Sequence, residues 1–285
     1  MNKLNVSFKV VLAGLATALV GVGCAKSATD TPTVTAALAM TGSSQPKSVA
    51  NYKKAHPLLQ LFSPTAVAFP PPAMTDATTR VVTLNTAWIV VKEVEFKLAE
   101  VAGAGEVEGA EVKFRGPYFV DLLSTIPASF GSASVPAGVY RRVKMKLEKD
   151  STLPAGAPAG LMGKSILLEG NVSTTAFSYT STDGTEFKIA GPGGVNLSET
   201  ANLMLGVKMS DLFRMINMDA VVAFAGSKAI SEANRIPAAG ACPLIENSSN
   251  DIYTCIRKGL EKAGKFGKDS DNDGEIEVGE DEVQD

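Results

Sequence analysis

Polar and apolar residues alternate strictly along two segments in the middle of the chain. Residues 93–98 read Glu-Val-Glu-Phe-Lys-Leu, and residues 142–147 read Arg-Val-Lys-Met-Lys-Leu. Because successive side chains of a β-strand point to opposite faces, this pattern is typical of a strand with one face on a core and the other in water. Both segments are therefore predicted to be half-exposed strands.

Shorter apolar runs predict further strands, and turn residues separate them. Asp183-Gly184 stands between two runs rich in β-branched and aromatic residues, which predicts a β-hairpin. Short strands with a turn about every ten residues are typical of a sandwich. The predicted fold class is mostly β, an antiparallel β-sandwich of the immunoglobulin or transthyretin type, followed by a short C-terminal helix and a calcium loop. The further predicted strands are residues 80–91, 111–114, 117–122, 165–174, 176–180, 185–190, 203–207 and 221–224.

Two segments show a helical pattern instead. Residues 210–216 form a short candidate helix, and residues 251–263 form a longer one. At the start of the longer segment, Ser249 or Asn250 is positioned to cap the first turn. Its apolar residues recur on one helical face, as expected for a helix packed on a core. These residues are Ile252, Cys255, Ile256, Leu260 and Ala263.

A twelve-residue acidic motif, residues 269–280, follows the longer helix. It has acidic residues at positions 1, 3, 5 and 12 and a glycine at position 6, which is the order of an EF-hand loop. Calcium takes about six to eight oxygen ligands, and such a loop supplies them from alternate residues. The motif predicts a calcium site; the alternative is an acidic, disordered terminus. The predicted ligands are Asp269, Asp271, Asp273, Glu280 and the carbonyl of Glu275.

The flanks of this motif differ from those of an EF-hand. Gly264, Gly267 and Lys268 interrupt the helix before the loop, and only residues 281–285 follow it. No second loop is present to pair with it. The motif therefore resembles the isolated calcium loops of extracellular modules, which bind calcium with dissociation constants of about 10⁻⁴–10⁻³ M. A structural role for the ion is expected rather than a signalling one.

The N-terminus has the pattern of a secretory signal. Lys3 and Lys9 precede an apolar stretch, residues 10–23, that is short for a membrane span. Residues 20–24, Val-Gly-Val-Gly-Cys, resemble the lipobox of bacterial lipoproteins, in which the cysteine is lipidated and becomes the first mature residue. The resemblance implies a lipidated Cys24 and an exported protein of the bacterial cell envelope, anchored to the outer membrane or cell surface through lipid. Simple secretion with a free or paired Cys24 is the alternative.

Cys242 and Cys255 remain after Cys24 is set aside. In an exported protein they are expected to form a disulfide. The bridge would close a loop of about 14 residues and stabilise the fold by about 3 kcal/mol in the chain-entropy account. Two buried thiols are the alternative.

Composition and charge divide the chain and exclude one class of partner. Residues 24–78 are rich in Ala, Ser, Thr and Pro, which predicts a flexible tether between the signal peptide (1–23) and a sandwich domain (79–235). Residues 236–285 form the disulfide-linked C-terminal segment. The net charge is −3, and no basic arm or patch with interleaved aromatics is present, so nucleic acid is not an expected partner.

A further resemblance covers about half of the chain, roughly residues 79–225. It rests on residues 120–123 (Val-Asp-Leu-Leu), residues 135–140 (Val-Pro-Ala-Gly-Val-Tyr), and the apolar residues Val143, Met145 and Leu147 that follow. These resemble a family of bacterial envelope lipoproteins whose central domain has no assigned function. The resemblance implies a β-sandwich and brings no activity.

The sequence offers little for catalysis. The single histidine, His56, lies in the predicted tether, so the sandwich lacks the residue needed for a Ser-His or Cys-His pair or a multi-histidine metal site. Asp121 with Asp183 or Glu186 would be needed for a carboxylate-based hydrolase, although an Asp in the position of Asp121 more often caps a turn. Trp88 is the one aromatic candidate for a sugar platform, and its apolar strand favours the core.

We therefore expect no enzyme activity. The sequence favours a non-catalytic, calcium-binding protein that binds a protein or polysaccharide ligand. A structural component of an envelope assembly, with the acidic tail as its docking element, is the alternative.

Overall fold

A computed structural model of the protein describes residues 32–42, 74–98, 111–124, 126–245, 250–269 and 282–283. Within these ranges the chain forms thirteen strands and three α-helices. The strands are β1 Thr33–Thr41, β2 Met74–Thr75, β3 Val81–Leu98, β4 Glu111–Asp121, β5 Ala128–Pro136, β6 Gly138–Leu147, β7 Ile166–Val172, β8 Thr175–Ser181, β9 Thr185–Leu197, β10 Ala201–Val207, β11 Ala229–Ile230, β12 Gly264–Lys268 and β13 Glu282–Val283. The helices are α1 Met209–Arg214, α2 Asp219–Ala223 and α3 Ile252–Lys262.

The strands form two sheets that share one hydrophobic core. The first sheet has the order β13-β12-β10-β1-β5. The second has the order β11-β8-β7-β3-β6-β9, and β2 and β4 also pair with β3. Most neighbours are antiparallel, but β1 pairs with β10, and β11 with β8, in parallel. The predicted mostly β sandwich is confirmed, with mixed rather than purely antiparallel sheets.

The long strand β3 organises the second sheet. Its first half pairs with β7 and its second half with β6, while β4 lies along its other edge. The register shifts between Val91 and Glu93, where the two predicted strands 80–91 and 93–98 join into one. Beyond this shift Val94 and Phe96 are buried in the core, as the alternation predicts. Glu95 and its outward neighbours face the other way.

The tether prediction is wrong for residues 33–41. They form β1, which lies between β10 and the edge strand β5 in the interior of the first sheet. Its residues Ala36, Leu38 and Met40 are almost completely buried. Their small and flexible apolar side chains alternate with Ala and Thr, a weak strand signal that the surrounding composition conceals. The apolar residues around His56 lie outside the described residues.

Two further local predictions are wrong. Asp183-Gly184 does not join paired strands, because β8 pairs with β7 and β11 whereas β9 pairs with β6. The hairpin lies one connection earlier, between β7 and β8, with Ser173 at a positive φ of 54°. Residues 221–224, predicted as a strand, fall largely in helix α2. A four-residue apolar run carries too little periodicity to distinguish the two structures.

A buried carboxylate ties the start of β3 to the helices. Asp76 is 3% exposed. Its Oδ1 accepts hydrogen bonds from the backbone N–H groups of Thr78 and Arg80, both at 2.8 Å, and its Oδ2 accepts one from the N–H of Met218 at 3.0 Å. Met218 directly precedes α2, and Arg80 also forms an ion pair with Asp219. One side chain thus satisfies three backbone donors from two distant segments.

Candidate functional site

The C-terminal segment begins with a capped and cross-linked helix. Asp251 is the N-cap of α3, and its carboxylate accepts hydrogen bonds from the N–H of Thr254 at 2.7 Å and its hydroxyl at 3.1 Å. The cap is therefore Asp251 rather than the predicted Ser249 or Asn250. The predicted disulfide between Cys242 and Cys255 is confirmed, with a Cα–Cα distance of 5.6 Å.

Helix α3 packs closely on α1 at Gly259. A Cβ atom at this position would lie 2.6 Å from Leu212 Cδ1 and 3.4 Å from Ile216 Cδ1. Both neighbours are completely buried. Glycine is required here because no larger residue fits between the two helices without displacing a core side chain.

The chain passes from α3 directly into β12, which carries it to the start of the calcium motif. Phe266 of β12 pairs with Leu205 of β10 and is completely buried, with its ring centroid 5.2 Å from that of Phe96. The glycines predicted to interrupt the helix therefore belong to a strand that packs in the core, β12. An EF-hand has a helix at this position, so the flank of this motif is of a different kind.

The two flanks of the motif pair with each other. Beyond the loop, β13 returns antiparallel to β12, with Phe266 opposite Val283 and Gly267 opposite Glu282. Asp269, the first predicted ligand, is 7% exposed, and its N–H donates to the carbonyl of Asn202 at 2.9 Å. The remaining predicted ligands lie outside the described residues: Asp271, Asp273, Glu275 and Glu280.

Within the described ranges, no three His, Cys, Asp or Glu side chains gather in a group that could hold a metal ion. The same ranges contain no helix long and apolar enough to cross a membrane. Cys24, the predicted lipidation site, and His56 lie outside them.

A second candidate site is a charged face on the outer side of β4, β3, β6 and β9. It holds seven basic and four acidic side chains, a net charge of +3. On β3, Glu93 and Glu95 each lie between basic residues of β4 and β6, whereas Lys97 lies between Glu111 and Arg142. The charged face consists of Glu93, Glu95, Lys97, Glu111, Lys113, Arg115, Arg142, Lys144, Lys146, Glu186 and Lys188.

Ion pairs link this charged face across the strands. Glu93 lies 3.1 Å from Lys146 Nζ and 3.6 Å from Arg115 Nε. Glu95, whose side chain is 6% exposed, lies 3.3 Å from Lys113 Nζ and 3.4 Å from Lys97 Nζ. The central carboxylates are thus neutralised by cations that rise above them.

The same contacts fix the charge states. A hydrogen bond from Lys146 lowers the pKa of Glu93, and hydrogen bonds from Lys113 and Lys97 lower the pKa of Glu111 to about 2. In return, Glu111 raises the pKa of both lysines. These two carboxylates and two lysines are all ionised at neutral pH, so the charged face keeps its pattern there.

Among the described residues, the charged face is the more solvent-exposed half of this side of the sheet. Over the first half of β3, Trp88 and Val90 point outward, but residues 153–161 cover them through Leu161 and form a small second cluster with Leu167. Trp88 is therefore partly buried against apolar side chains, as its strand suggested, and is not part of an exposed aromatic platform.

The charged face borders a cleft of about 250 Å³, which is lined by Glu93, Lys146, Thr185 and Glu186 among other residues. Thr185 is 9% exposed, and its Oγ1 finds no hydrogen-bond partner among the described residues. Thr185 is in phase with the core residues Phe187 and Ile189 along β9, so its side chain lies on the opposite side of the sheet from the charged face.

The three carboxylates considered for hydrolysis do not form a pair. Asp121 accepts from the N–H of Leu123 at 2.9 Å, which is the turn-capping role, and burial raises its pKa. Glu186 on β9 forms an ion pair with Lys144 at 2.7 Å. Strand β9 is three strands, or about 14 Å, from β4, where Asp121 lies. Asp183 accepts from the hydroxyl of Tyr253 at 3.2 Å.

A buried polar cluster around Glu232 escaped the sequence patterns. Glu232 Oε1 accepts from the N–H of Thr182 at 2.5 Å and from the hydroxyls of Ser181 and Tyr253, each at 3.0 Å. Burial alone would raise the pKa of Glu232, but these hydrogen bonds outweigh it and lower the pKa to about 2. Arg235 stacks over the Tyr253 ring at 4.8 Å. The partners are up to 51 positions apart, so no local motif could reveal them.

Comparison with known proteins adds no relative. No protein family, curated protein or solved structure matches the chain.

Proposed function

We propose that the protein is a non-catalytic, calcium-binding lipoprotein of the bacterial cell envelope whose β-sandwich binds a protein or polysaccharide ligand. The lipobox-like residues before Cys24 support export and anchoring, and the acidic motif supports calcium. The absence of a carboxylate pair among Asp121, Asp183 and Glu186 weighs against the hydrolase alternative. The observation that carries the calcium proposal is the pairing of β12 with β13 on either side of the motif.

This pairing favours an ion-binding loop for a physical reason. Closing a loop costs conformational entropy, and here the strand pairing meets that cost before any ion arrives. Position 1 of the motif, Asp269, is already held through its backbone by Asn202. Calcium would then have to order only the loop itself and neutralise its mutually repelling carboxylates, rather than build a site from a free terminus.

Isothermal titration of the purified protein with calcium tests the proposal. We expect a single site with a dissociation constant of about 10⁻⁴–10⁻³ M, and much weaker binding of magnesium, which demands a smaller octahedral shell. Asp271→Asn with Glu280→Gln should abolish the heat of calcium binding. Glu199→Gln with Glu148→Gln removes two acids outside the motif and is the matched control. Binding that survives the loop substitutions would refute the assignment.

Lipid anchoring is tested separately. Metabolic labelling with an alkyne fatty acid should tag the protein in cells, and Cys24→Ala should remove both the label and its retention in the membrane fraction. A Cys24→Ala variant that sediments with membranes at the wild-type level would contradict the anchor.

A further inference from the structure

The two central carboxylates of the charged face lie low between their cations. The side chains of Glu93 and Glu95 are 15% and 6% exposed, whereas those of Arg115 and Lys188 are 77% and 63% exposed. The other two carboxylates, Glu111 and Glu186, are 37% and 34% exposed, about as much as the lysines they pair with. Lysine and arginine have longer stems than glutamate, so a ligand above Glu93 and Glu95 meets the flanking cations first.

The ion-pair lattice of the charged face is also regular and held in place. Neighbouring strands lie about 4.8 Å apart, and outward residues on one strand recur about every 6.8 Å. The ion pairs that Glu93, Glu95 and Glu111 form with their basic neighbours restrict the rotamers of those side chains. Part of the ordering entropy of ligand binding is therefore met within the protein.

The composition of the charged face selects the class of ligand. Protein interfaces concentrate aromatic and apolar anchors at their centre, and the charged face has none. Membrane-binding surfaces combine basic residues with apolar side chains that insert between lipids. The large apolar side chains that are exposed among the described residues lie away from the charged face: Val81, Ile126, Met162 and Leu244.

We propose that the charged face binds a linear anionic polysaccharide, whose carboxylates or sulfates lie along the rows of Lys and Arg. The proposal deepens the ligand-binding half of the proposed function and rests on it. The strands that flank the calcium motif, β12 and β13, belong to the first sheet and the charged face to the second, so each proposal has its own test.

The test measures binding of the purified protein to immobilised polygalacturonate, a linear carboxylated polysaccharide, in calcium-free buffer at about 0.01 M and about 1 M salt. Neutral dextran, phosphatidylglycerol vesicles and polyglutamate serve as comparison ligands. The face variant carries Arg115→Gln, Arg142→Gln and Lys188→Gln. The control variant makes the same charge change at exposed positions elsewhere: Lys149→Gln, Arg214→Gln and Lys262→Gln.

We expect the wild-type protein and the control variant to bind polygalacturonate within about twofold of each other at low salt. The face variant should bind at least about tenfold more weakly, equivalent to about 1.4 kcal/mol. High salt should suppress binding, and dextran should not bind. If the face variant does not fold, the single exposed substitution Arg142→Glu gives the same comparison.

Three results would overturn the proposal: no binding of polygalacturonate by the wild-type protein, equal weakening in the face and control variants, or preferential binding of vesicles or polyglutamate through the charged face. Calcium titration of the same variants separates this proposal from the calcium assignment, because substitutions on the charged face should leave the calcium isotherm unchanged.

Discussion

Replacing Asp76 should destabilise the fold far more than replacing a similar aspartate on the surface. Its carboxylate accepts from the N–H groups of Thr78, Arg80 and Met218 while almost fully buried. In Asp76→Asn the remaining oxygen can still serve Thr78 and Arg80. The new amide group, however, would point its own donors at the N–H of Met218, which leaves that donor unpaired.

The expected loss follows from these contacts. A hydrogen bond to a charged group contributes about 1.5–3 kcal/mol, and a buried donor left without a partner costs about 1–3 kcal/mol. Asp76→Asn should therefore lower the free energy of unfolding by about 2–3 kcal/mol. Asp76→Ala removes the acceptor of all three N–H donors and should lower the free energy of unfolding by about 4 kcal/mol or more.

Asp150 provides the matched control. Its carboxylate accepts from the N–H and hydroxyl of Thr152 at 2.7 and 2.6 Å in a local turn of the same kind, but these hydrogen bonds are exposed and stay within that turn. Asp150→Asn should cost less than about 0.5 kcal/mol. Urea unfolding at neutral pH measures both variants, with unchanged denaturant slopes as a check on two-state behaviour. Equal losses for Asp76→Asn and Asp150→Asn would show that the bond to Met218 contributes nothing.

Two other substitutions probe the C-terminal packing. The folded-state pKa of Glu232 is about 2, below its ordinary 4.5, so its contribution to stability is present above about pH 4.5 and is lost as the pH falls toward 2. Urea midpoints should therefore fall more steeply with decreasing pH for the wild-type protein than for Glu232→Gln. Parallel curves for the two proteins would contradict this. Gly259→Ala would normally strengthen a helix by about 1 kcal/mol, but here it should destabilise the protein by about 1 kcal/mol through the clash with Leu212. Urea unfolding should show that adding Leu212→Val recovers part of this loss. A gain in stability for Gly259→Ala alone would refute the close contact.

The fold was predictable where one residue's environment is set by its neighbours in sequence. The alternation in residues 93–98 and 142–147 reports a half-buried strand directly, and both strands are present. The disulfide was also predictable, because Cys242 and Cys255 are the two cysteines that remain once Cys24 is set aside in an exported protein. Strand partners are a different matter, because pairing depends on the whole sheet. Asp183-Gly184 has good hairpin chemistry, yet the two strands it connects pair elsewhere, β8 with β7 and β11 and β9 with β6.

The candidate sites show the same division. Each strand of the charged face reads as an ordinary amphipathic strand with polar outward residues. Its significance appears only when four strands are placed side by side and Glu95 is found beneath Lys97 and Lys113. The calcium motif that begins at Asp269 is readable in sequence because all of its predicted ligands fall within twelve residues, but the pairing of β12 with β13 on either side of it is not.

Because β1 is an interior strand of the first sheet, it limits the distance between the proposed lipid anchor and the folded domain. A tether running from Cys24 to residue 78 would extend to about 180 Å, but the chain is fixed in the sheet from Thr33, nine residues after Cys24. Fully extended, those residues span about 30 Å, roughly the thickness of the hydrocarbon core of one bilayer. A lipid at Cys24 would therefore keep the sandwich within about 30 Å of the membrane that carries the lipid. Ligands would have to come to that surface, because the domain could not search for them at a distance.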